Sequence, residues 1–260
     1  CGNDADRRDL GARRMTLAIR GDRTSCLSLQ LGPGTWLLAV ARGFGQMGGL
    51  PIESALLARL RAECQGRMRS PLFRRAIDRP QAAATAMLAV LGRVNGVLYA
   101  NTANHDDYVT AAASLTAVII VQGLAYVIHV GATAAYLARA GAIAPLCDDD
   151  VMEERPVPVL IRAFAAAPTL DVGISNVRLI PGDAIVLLGR RIAGASERRT
   201  LLDRLEASEL GEQILVARFE EDAGAIAPAT SPAFYASKIA RAVTGIVAAI
   251  GFLAAAVLAH

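Results

Sequence analysis

The side chains in this sequence that are suited to acid–base or metal chemistry lie in a few short segments. Residues 147–150 (CDDD) carry three consecutive carboxylates, and carboxylate oxygens are the ligands that hard divalent cations prefer. Asp148 and Asp149 are therefore weak candidates for a cation site, although a solvated acidic turn explains these residues better. His105 lies in the polar segment NHDDY without further ligands at a suitable spacing. His129, inside AYVIHVG, is more typical of a core or sheet-edge histidine than of a catalytic base.

The nucleophilic side chains form no recognisable catalytic arrangement. Ser25 and Cys26 adjoin a predicted strand, and no histidine–aspartate pattern points to either of them as a nucleophile. The four cysteines are far apart and include no CxxC pair, which argues against a zinc site and against a dense disulfide framework. We expect free or buried thiols and no cofactor. The opening Cys-Gly-Asn is also typical of mature bacterial lipoproteins, so a lipid on Cys1 stays an open alternative.

The composition indicates a globular chain with a large core. Of the 260 residues, 53% are hydrophobic and 20% are charged, which argues against general disorder. The formal net charge of +3 is small and its basic residues are scattered, so we expect no nucleic-acid partner. Lys238 is the single lysine among the basic residues, and the chain is rich in alanine; both features point to GC-rich coding and hence to a bacterial source.

The apolar patterning predicts a mixed chain of strands and helices over residues 15–220, after a charged tail at 1–14. Strands are predicted in MTLAIRG, TSCLSLQLG and TWLLAVARG, in a three-strand meander over residues 114–141, in two runs flanking the Pro-Gly-Asp turn within 175–189, and in QILVARFE. Helices are predicted over residues 52–66, 80–97 and 196–211, where apolar residues recur at helical spacing.

The C-terminal residues predict a membrane anchor. A linker of small residues and prolines (221–237) precedes the segment 238–260, in which residues 242–259 carry no charge. Eighteen helical residues span roughly 27 Å, which is close to the thickness of a bilayer core. Lys238 and Arg241 precede this stretch, so the positive-inside rule places the large N-terminal domain in the cytoplasm.

The predicted membrane helix also carries a possible contact surface for other helices. Gly245, Ala249, Gly251 and Ala255 give it small residues at a spacing that lets helix backbones approach closely in lipid. The expected partners are therefore the lipid bilayer and other membrane-protein subunits.

Three motifs in order give the chain a resemblance to the metal-dependent Ser/Thr protein phosphatases, the 2C-like family. Members carry two hydrophobic strands, Val-Gly-Asp-Ser-Arg-Ala-Tyr, a glycine turn and a Leu-Thr…Asp-His element; here residues 130–136 read VGATAAY, and Gly141 and LCDDD follow. TWLLAVARGFGQMGG is similar to the family's strand with Ala-Asp-Gly-Met-Gly-Gly, and LIPGDAIVLLGRRI to its Pro-Gly-Asp, apolar strand and Ser-Asp-Gly-Leu. The resemblance covers most of residues 15–220.

The resemblance implies two divalent metal ions held by aspartates, which activate a water molecule and neutralise phosphate charge. This sequence departs from the family at those positions. Arg42 and Arg190 stand where two of the aspartates belong, the first-strand motif falls in the acid-poor GDRTSCL, and only Glu209 or Glu212 lies near the last Asp-Asn. Because arginine repels a cation, we expect the metal centre to be lost. Arg42 and Arg190 become candidates for binding a phosphate or carboxylate directly, although pairing with Asp148, Asp149 or other acidic residues, or exposure to solvent, explains them better.

The sequence therefore predicts an α+β fold, a 2C-phosphatase-like α/β/β/α sandwich of two antiparallel sheets flanked by helices, with one C-terminal transmembrane helix. The predicted function is that of a pseudophosphatase: a catalytically inactive, membrane-anchored scaffold, regulator or accessory subunit of a membrane protein complex. Two alternatives stay open. One is an active membrane-bound phosphatase with a rearranged metal site, and the other is an anion or phosphopeptide sensor.

Overall fold

The computed structural model describes residues 15–20, 25–47, 49–103, 111–148, 150–152, 159–192, 194–206 and 214–219. Its helices are α1 (Ile52–Arg67), α2 (Pro71–Ile77), α3 (Pro80–Ala103) and α4 (Ala195–Glu206). Its strands are β1 (Met15–Arg20), β2 (Cys26–Gly32), β3 (Thr35–Phe44), β4 (Gln46–Met47), β5 (Leu50–Pro51), β6 (Ala112–Val121), β7 (Leu124–Val130), β8 (Ala134–Arg139), β9 (Ala142–Pro145), β10 (Val151–Met152), β11 (Val159–Leu160), β12 (Gly173–Arg178), β13 (Ala184–Leu188) and β14 (Ile214–Phe219).

Two five-stranded antiparallel sheets form the centre of the molecule. Sheet I has the strand order β1-β14-β13-β8-β9, and sheet II has the order β12-β7-β6-β3-β2. The two short pairs β4–β5 and β10–β11 lie outside these sheets. The predicted antiparallel α+β architecture is therefore observed, and the first and last described strands, β1 and β14, are hydrogen-bonded neighbours over six residue pairs.

The sheets pack face to face because their inner strands are apolar on both sides. Along β3, Leu37 and Ala39 face a core shared with α1, α2 and α3, whereas Leu38 and Val40 face a second core between the sheets. Alternate side chains of a strand point to opposite faces, so a strand buried on both faces is a continuous hydrophobic run. A third core lies between sheet I and α4. The layers are therefore helices, sheet II, sheet I and helix, the sandwich that the sequence predicts.

One predicted strand neighbourhood is wrong. β8 does not continue the meander of β6 and β7: it lies in sheet I, between β13 and β9. The two strands predicted around the Pro-Gly-Asp turn are observed as β12 and β13, but they do not pair with each other, because β12 pairs with β7 in sheet II and β13 pairs with β8 and β14 in sheet I. Both turns carry the chain from one sheet to the other, and turn residues alone do not distinguish such a crossing from a hairpin.

The helix α3 is longer than predicted and is itself long and apolar enough to cross a membrane over Pro80–Thr102. Length and apolar composition alone do not distinguish a membrane-spanning helix from the core helix of a globular domain. Here Met87, Leu91 and Val94 are buried in the core beneath sheet II, and Asn95 is buried with its amide bonded to the loop after β11. The predicted anchor at 238–260 lies outside the described residues, as do the tail 1–14 and the linker 221–237, so these assignments stay predictions.

Candidate functional site

A cleft with a volume of about 650 Å³ opens where the two sheets meet the N-terminal half of α4. Arg42 comes from β3 in sheet II, and Arg190 follows β13 in sheet I. Ser196 and Arg204 come from α4. Three separate elements thus place polar side chains around one opening, and this includes both arginines that the sequence singles out.

The floor of the cleft is apolar and belongs to the core between sheet I and α4. Leu188, Ile192, Leu201 and Ile214 line the cleft and are buried in that core. The apolar positions of α4 pack on sheet I, which turns its polar positions toward the opening. The packing that stabilises this helix therefore also orients the residues of the site.

The backbone next to Arg42 is closely packed against its neighbours. The next residue, Gly43, is so closely approached that an added Cβ would lie 2.3 Å from Cγ2 of Ile52 and 3.0 Å from the carbonyl oxygen of Ala112. Only glycine fits at this contact between β3 and the start of α1. The Arg42 side chain itself is exposed, and among the described residues it forms no hydrogen bond or ion pair.

Arg190 is the second arginine at the cleft, and it is only loosely tied. Its side chain is 65% exposed, and Nη1 lies 3.5 Å from Oε1 of Glu197 and 3.3 Å from the carbonyl oxygen of Arg191. Exposed ion pairs of this kind contribute about 0–1 kcal/mol. The pair with Glu197 can therefore yield to a better ligand at little cost.

The charge around the opening is positive. Among the described residues, Arg42, Arg190 and Arg204 line it together with the carboxylate of Glu197, and these four side chains sum to +2. Positive charge gathered in a cleft raises the local concentration of anions. The cleft is therefore suited chemically to binding an anion.

The buried carboxylates in the described part of the chain are already occupied elsewhere. Asp150, which the sequence grouped with a solvated acidic turn, is instead buried: its carboxylate accepts a hydrogen bond from the Gly131 amide at 2.9 Å and pairs with Arg162. Asp183 is bound bidentately by Arg139, at 2.8 and 2.7 Å.

The weak cation candidates of the sequence are not brought together by the described residues. Asp148 is exposed, and no group of three or more histidine, cysteine, aspartate or glutamate side chains within the described ranges is arranged to hold a metal ion. Asp149, Glu209 and Glu212 lie outside those ranges, as do His105 and the membrane-helix residues Lys238, Arg241, Gly245, Ala249, Gly251 and Ala255.

A buried polar network that the sequence does not reveal connects β6, β7 and the loop before β10. Nδ1 of His129 lies 2.9 Å from Oγ1 of Thr116, which is 2.8 Å from Oγ1 of Thr133. Nε2 of His129 has no hydrogen-bond partner among the described residues and lies 3.6 Å from Asp150. Burial lowers the pKa of His129, because desolvation penalises the imidazolium, and the nearby Asp150 opposes this only in part.

His129 is therefore a core histidine, as the sequence favours, but it lies on an inner strand rather than at a sheet edge. The thiols of Cys64 and Cys147 are also unsuited to act as nucleophiles. Burial raises the pKa of Cys64 to about 12 and that of Cys147 to about 11, so both stay protonated near neutral pH.

The likeness to known proteins lies in the fold, and the two sequence comparisons found no match. No protein-family model matches the chain, and no curated protein is similar to it in sequence. Solved structures do match. The serine/threonine phosphatase of S. agalactiae superposes with a TM-score of 0.58 at 15% identity, over 80% of this chain and 99% of that one.

Two further matches agree with the first. PppA, a regulatory component of the type VI secretion system of Pseudomonas aeruginosa, gives a TM-score of 0.57 at 20% identity, over 79% of this chain and 97% of that one. The Mycobacterium tuberculosis phosphatase PstP/Ppp gives 0.52 at 16% identity, over 80% and 99%. The chain thus has the fold of the PPM-type, 2C-like Ser/Thr phosphatases. At these identities the likeness concerns the fold and not the activity.

Proposed function

We propose that this chain is a non-catalytic protein with a phosphatase fold, anchored in a membrane, where it acts as a scaffold, regulator or accessory subunit of a membrane protein complex. The observation that carries the proposal is the joint position of Arg42 and Arg190 in one cleft. They occupy the sequence positions at which the resemblance to the phosphatases expects metal-binding aspartates.

The charge at these two positions is unfavourable for a dinuclear metal centre. Two unit charges 4 Å apart interact by about 4 kcal/mol at an effective dielectric constant of 20. Replacing aspartate by arginine turns the attraction between the side chain and a metal ion into a repulsion. Because a divalent ion carries two charges, the energy of this repulsion is doubled. An exposed guanidinium can turn away, which reduces the repulsion but supplies no oxygen ligand in exchange.

The alternative is an active phosphatase with a rearranged metal site. Several structural neighbours are named as serine/threonine phosphatases, and a rebuilt centre would need carboxylates such as Asp148, Asp149, Glu209 or Glu212 around the cleft. The two readings differ in one measurable property, which is whether the protein binds divalent metal ions and turns over a phosphorylated substrate.

The test uses the full chain purified in mild detergent, with a metal-dependent phosphatase of the same fold as the positive control. Hydrolysis of a phosphoserine peptide is followed with and without Mn²⁺ or Mg²⁺, and metal binding is measured by calorimetry. We expect neither saturable metal binding nor turnover. Metal-dependent turnover that survives in Arg42→Ala but is lost when the carboxylates around the cleft are replaced would establish the active alternative.

A further inference from the structure

We propose that the cleft between Arg42, Arg190 and Arg204 binds a phosphomonoester dianion directly, without a metal ion. The inference rests on the proposed non-catalytic function and adds to it the chemical class of the ligand. Three observations on the described residues support the inference. Three arginines line the cleft, they belong to different parts of the fold, and the charge of the described side chains around the cleft is positive.

The three arginines that line the opening come from three separate parts of the fold. Arg42 projects from β3, Arg190 from the segment after β13, and Arg204 from the last turn of α4. Each guanidinium offers a planar fork of N–H donors that matches two oxygens of a phosphate. A tetrahedral group with three terminal oxygens can accept from several such forks at once, whereas a planar carboxylate has only two oxygens to offer.

The start of α4 adds neutral donors to the same opening. Ser196 lines the cleft as the second residue of this twelve-residue helix, and the first amides of a helix have no partner within it. The Thr200 hydroxyl also lines the cleft, but it donates to the carbonyl oxygen of Ser196 at 3.1 Å. Among the described residues that line the cleft, Ser196 is therefore the hydroxyl donor that remains for a ligand.

The net charge selects among anions. The cleft's three arginines and Glu197 sum to +2, which a phosphomonoester dianion neutralises and a single carboxylate does not. Arg190 now shares Nη1 with Glu197 at 3.5 Å; its other nitrogens have no partner among the described residues. A volume of about 650 Å³ exceeds what a free phosphate ion fills and leaves room for part of the group that carries the phosphate.

The experiment measures binding and hydrolysis in one sample. The full chain in detergent is titrated into a fluorescent phosphoserine peptide without divalent metal, and anisotropy and phosphate release are recorded together. The matching serine and glutamate peptides test for the dianion, and inorganic phosphate is the competitor that tests whether the phosphate group itself is recognised. Arg75→Ala is the matched control, because Arg75 is an exposed arginine on α2, away from the cleft.

We expect the phosphoserine peptide to bind, phosphate to compete, and both control peptides to bind at least tenfold more weakly. Hydrogen bonds to charged groups contribute about 1.5–3 kcal/mol, so Arg42→Ala and Arg190→Ala should each weaken binding about 10- to 100-fold, while Arg75→Ala changes it little. Arg42→Lys should restore only part of the loss, because lysine has no fork.

The outcomes separate this inference from the function on which it rests. No binding, or binding that Arg42→Ala and Arg190→Ala leave unchanged, overturns the inference alone. Binding that depends on both arginines together with phosphate release supports the ligand class but overturns the non-catalytic function. Equal affinity for the phosphoserine and glutamate peptides shows a general anion site and overturns the selectivity for a dianion.

Discussion

At the scale of single residues, two kinds of charged side chain can be compared: those paired within the fold and those exposed at the cleft. Asp150, Asp183 and Arg139 are satisfied within the fold and stabilise it, whereas Arg42 and Arg190 are exposed at a cleft. A buried charge without a partner would be costly, and an exposed one is not. The arginines of the cleft therefore add little to stability, and substituting them tests binding without endangering the fold.

His129 provides a prediction on the pH dependence of stability. Its pKa in the fold is lowered by burial, so below its unfolded pKa of about 6.5 the unfolded chain binds a proton that the folded chain resists. The free energy of unfolding should fall as the pH drops from about 7.5 to 5.5, by at most about 1.4 kcal/mol per pH unit from this residue. Urea unfolding across that range measures it.

The control for this prediction is His129→Asn, which keeps a polar group near Oγ1 of Thr116 but does not titrate. Its overall stability should be lower, because part of a packed ring is removed, but its dependence on pH should be flatter. The groups that face the imidazole are Thr116, Asp150, Arg162 and Arg191. If the slope of the variant equals that of the parent chain, His129 is not the group that titrates.

At the scale of the elements, the turns between the two sheets are where the fold is most constrained. Gly131 follows β7 with φ +89°, and a Cβ there would lie 2.2 Å from Oγ and 2.7 Å from Cβ of Ser114. Gly141, in the β8–β9 turn, has φ +73° but nothing within 4 Å of an added Cβ. The two positions therefore share the conformational cost of replacing glycine and differ in steric crowding.

This pair gives a second prediction. Gly141→Ala should destabilise the protein by about 1–2 kcal/mol, the cost of placing an L side chain in the left-handed region. Gly131→Ala should add the cost of overpacking, typically about 1–3 kcal/mol, and Ser114→Gly should relieve that added part. The free energies of unfolding in urea measure all three. Equal losses at Gly131 and Gly141 would mean that the contact with Ser114 is not tight.

The strands and helices also show which features of the fold and the site can be predicted from the sequence and which cannot. The strands β3, β6 and β13 are predictable because burial on both faces makes them continuous apolar runs. Sheet membership is not predictable, since the same glycine-containing turns serve hairpins and crossings. At the site, Arg42 and Arg190 can be found because each stands in a recognisable motif. Ser196 and Arg204 cannot, because only the packing of α4 on sheet I turns them toward the cleft.

At the scale of the whole molecule, the fold persists at 15–20% identity to its structural neighbours. Inner strands that are buried on both faces have to supply apolar residues of suitable size at successive positions, and many sequences satisfy this requirement. The exposed arginines at the cleft, Arg42 and Arg190, are under no such packing constraint. A sandwich of this kind can therefore keep its architecture whatever charge its exposed residues carry at the opening, so the fold alone does not determine the function.

Membrane anchoring is the prediction that concerns the whole chain. Two segments are long and apolar enough to span a bilayer: α3, which packs on sheet II, and the uncharged stretch 242–259, which the sequence predicts as the anchor. A chain ending at Ser237 should therefore move from the membrane pellet to the soluble fraction after an alkaline wash, whereas the full chain stays in the pellet.

The substitution Cys1→Ser, made in the full chain and in the shortened chain, tests the lipid alternative. If the shortened chain stays in the membrane and the serine variant releases it, Cys1 carries the anchor. If the shortened chain stays in the membrane even with Cys1→Ser, the domain itself binds the bilayer and α3 becomes the segment to test.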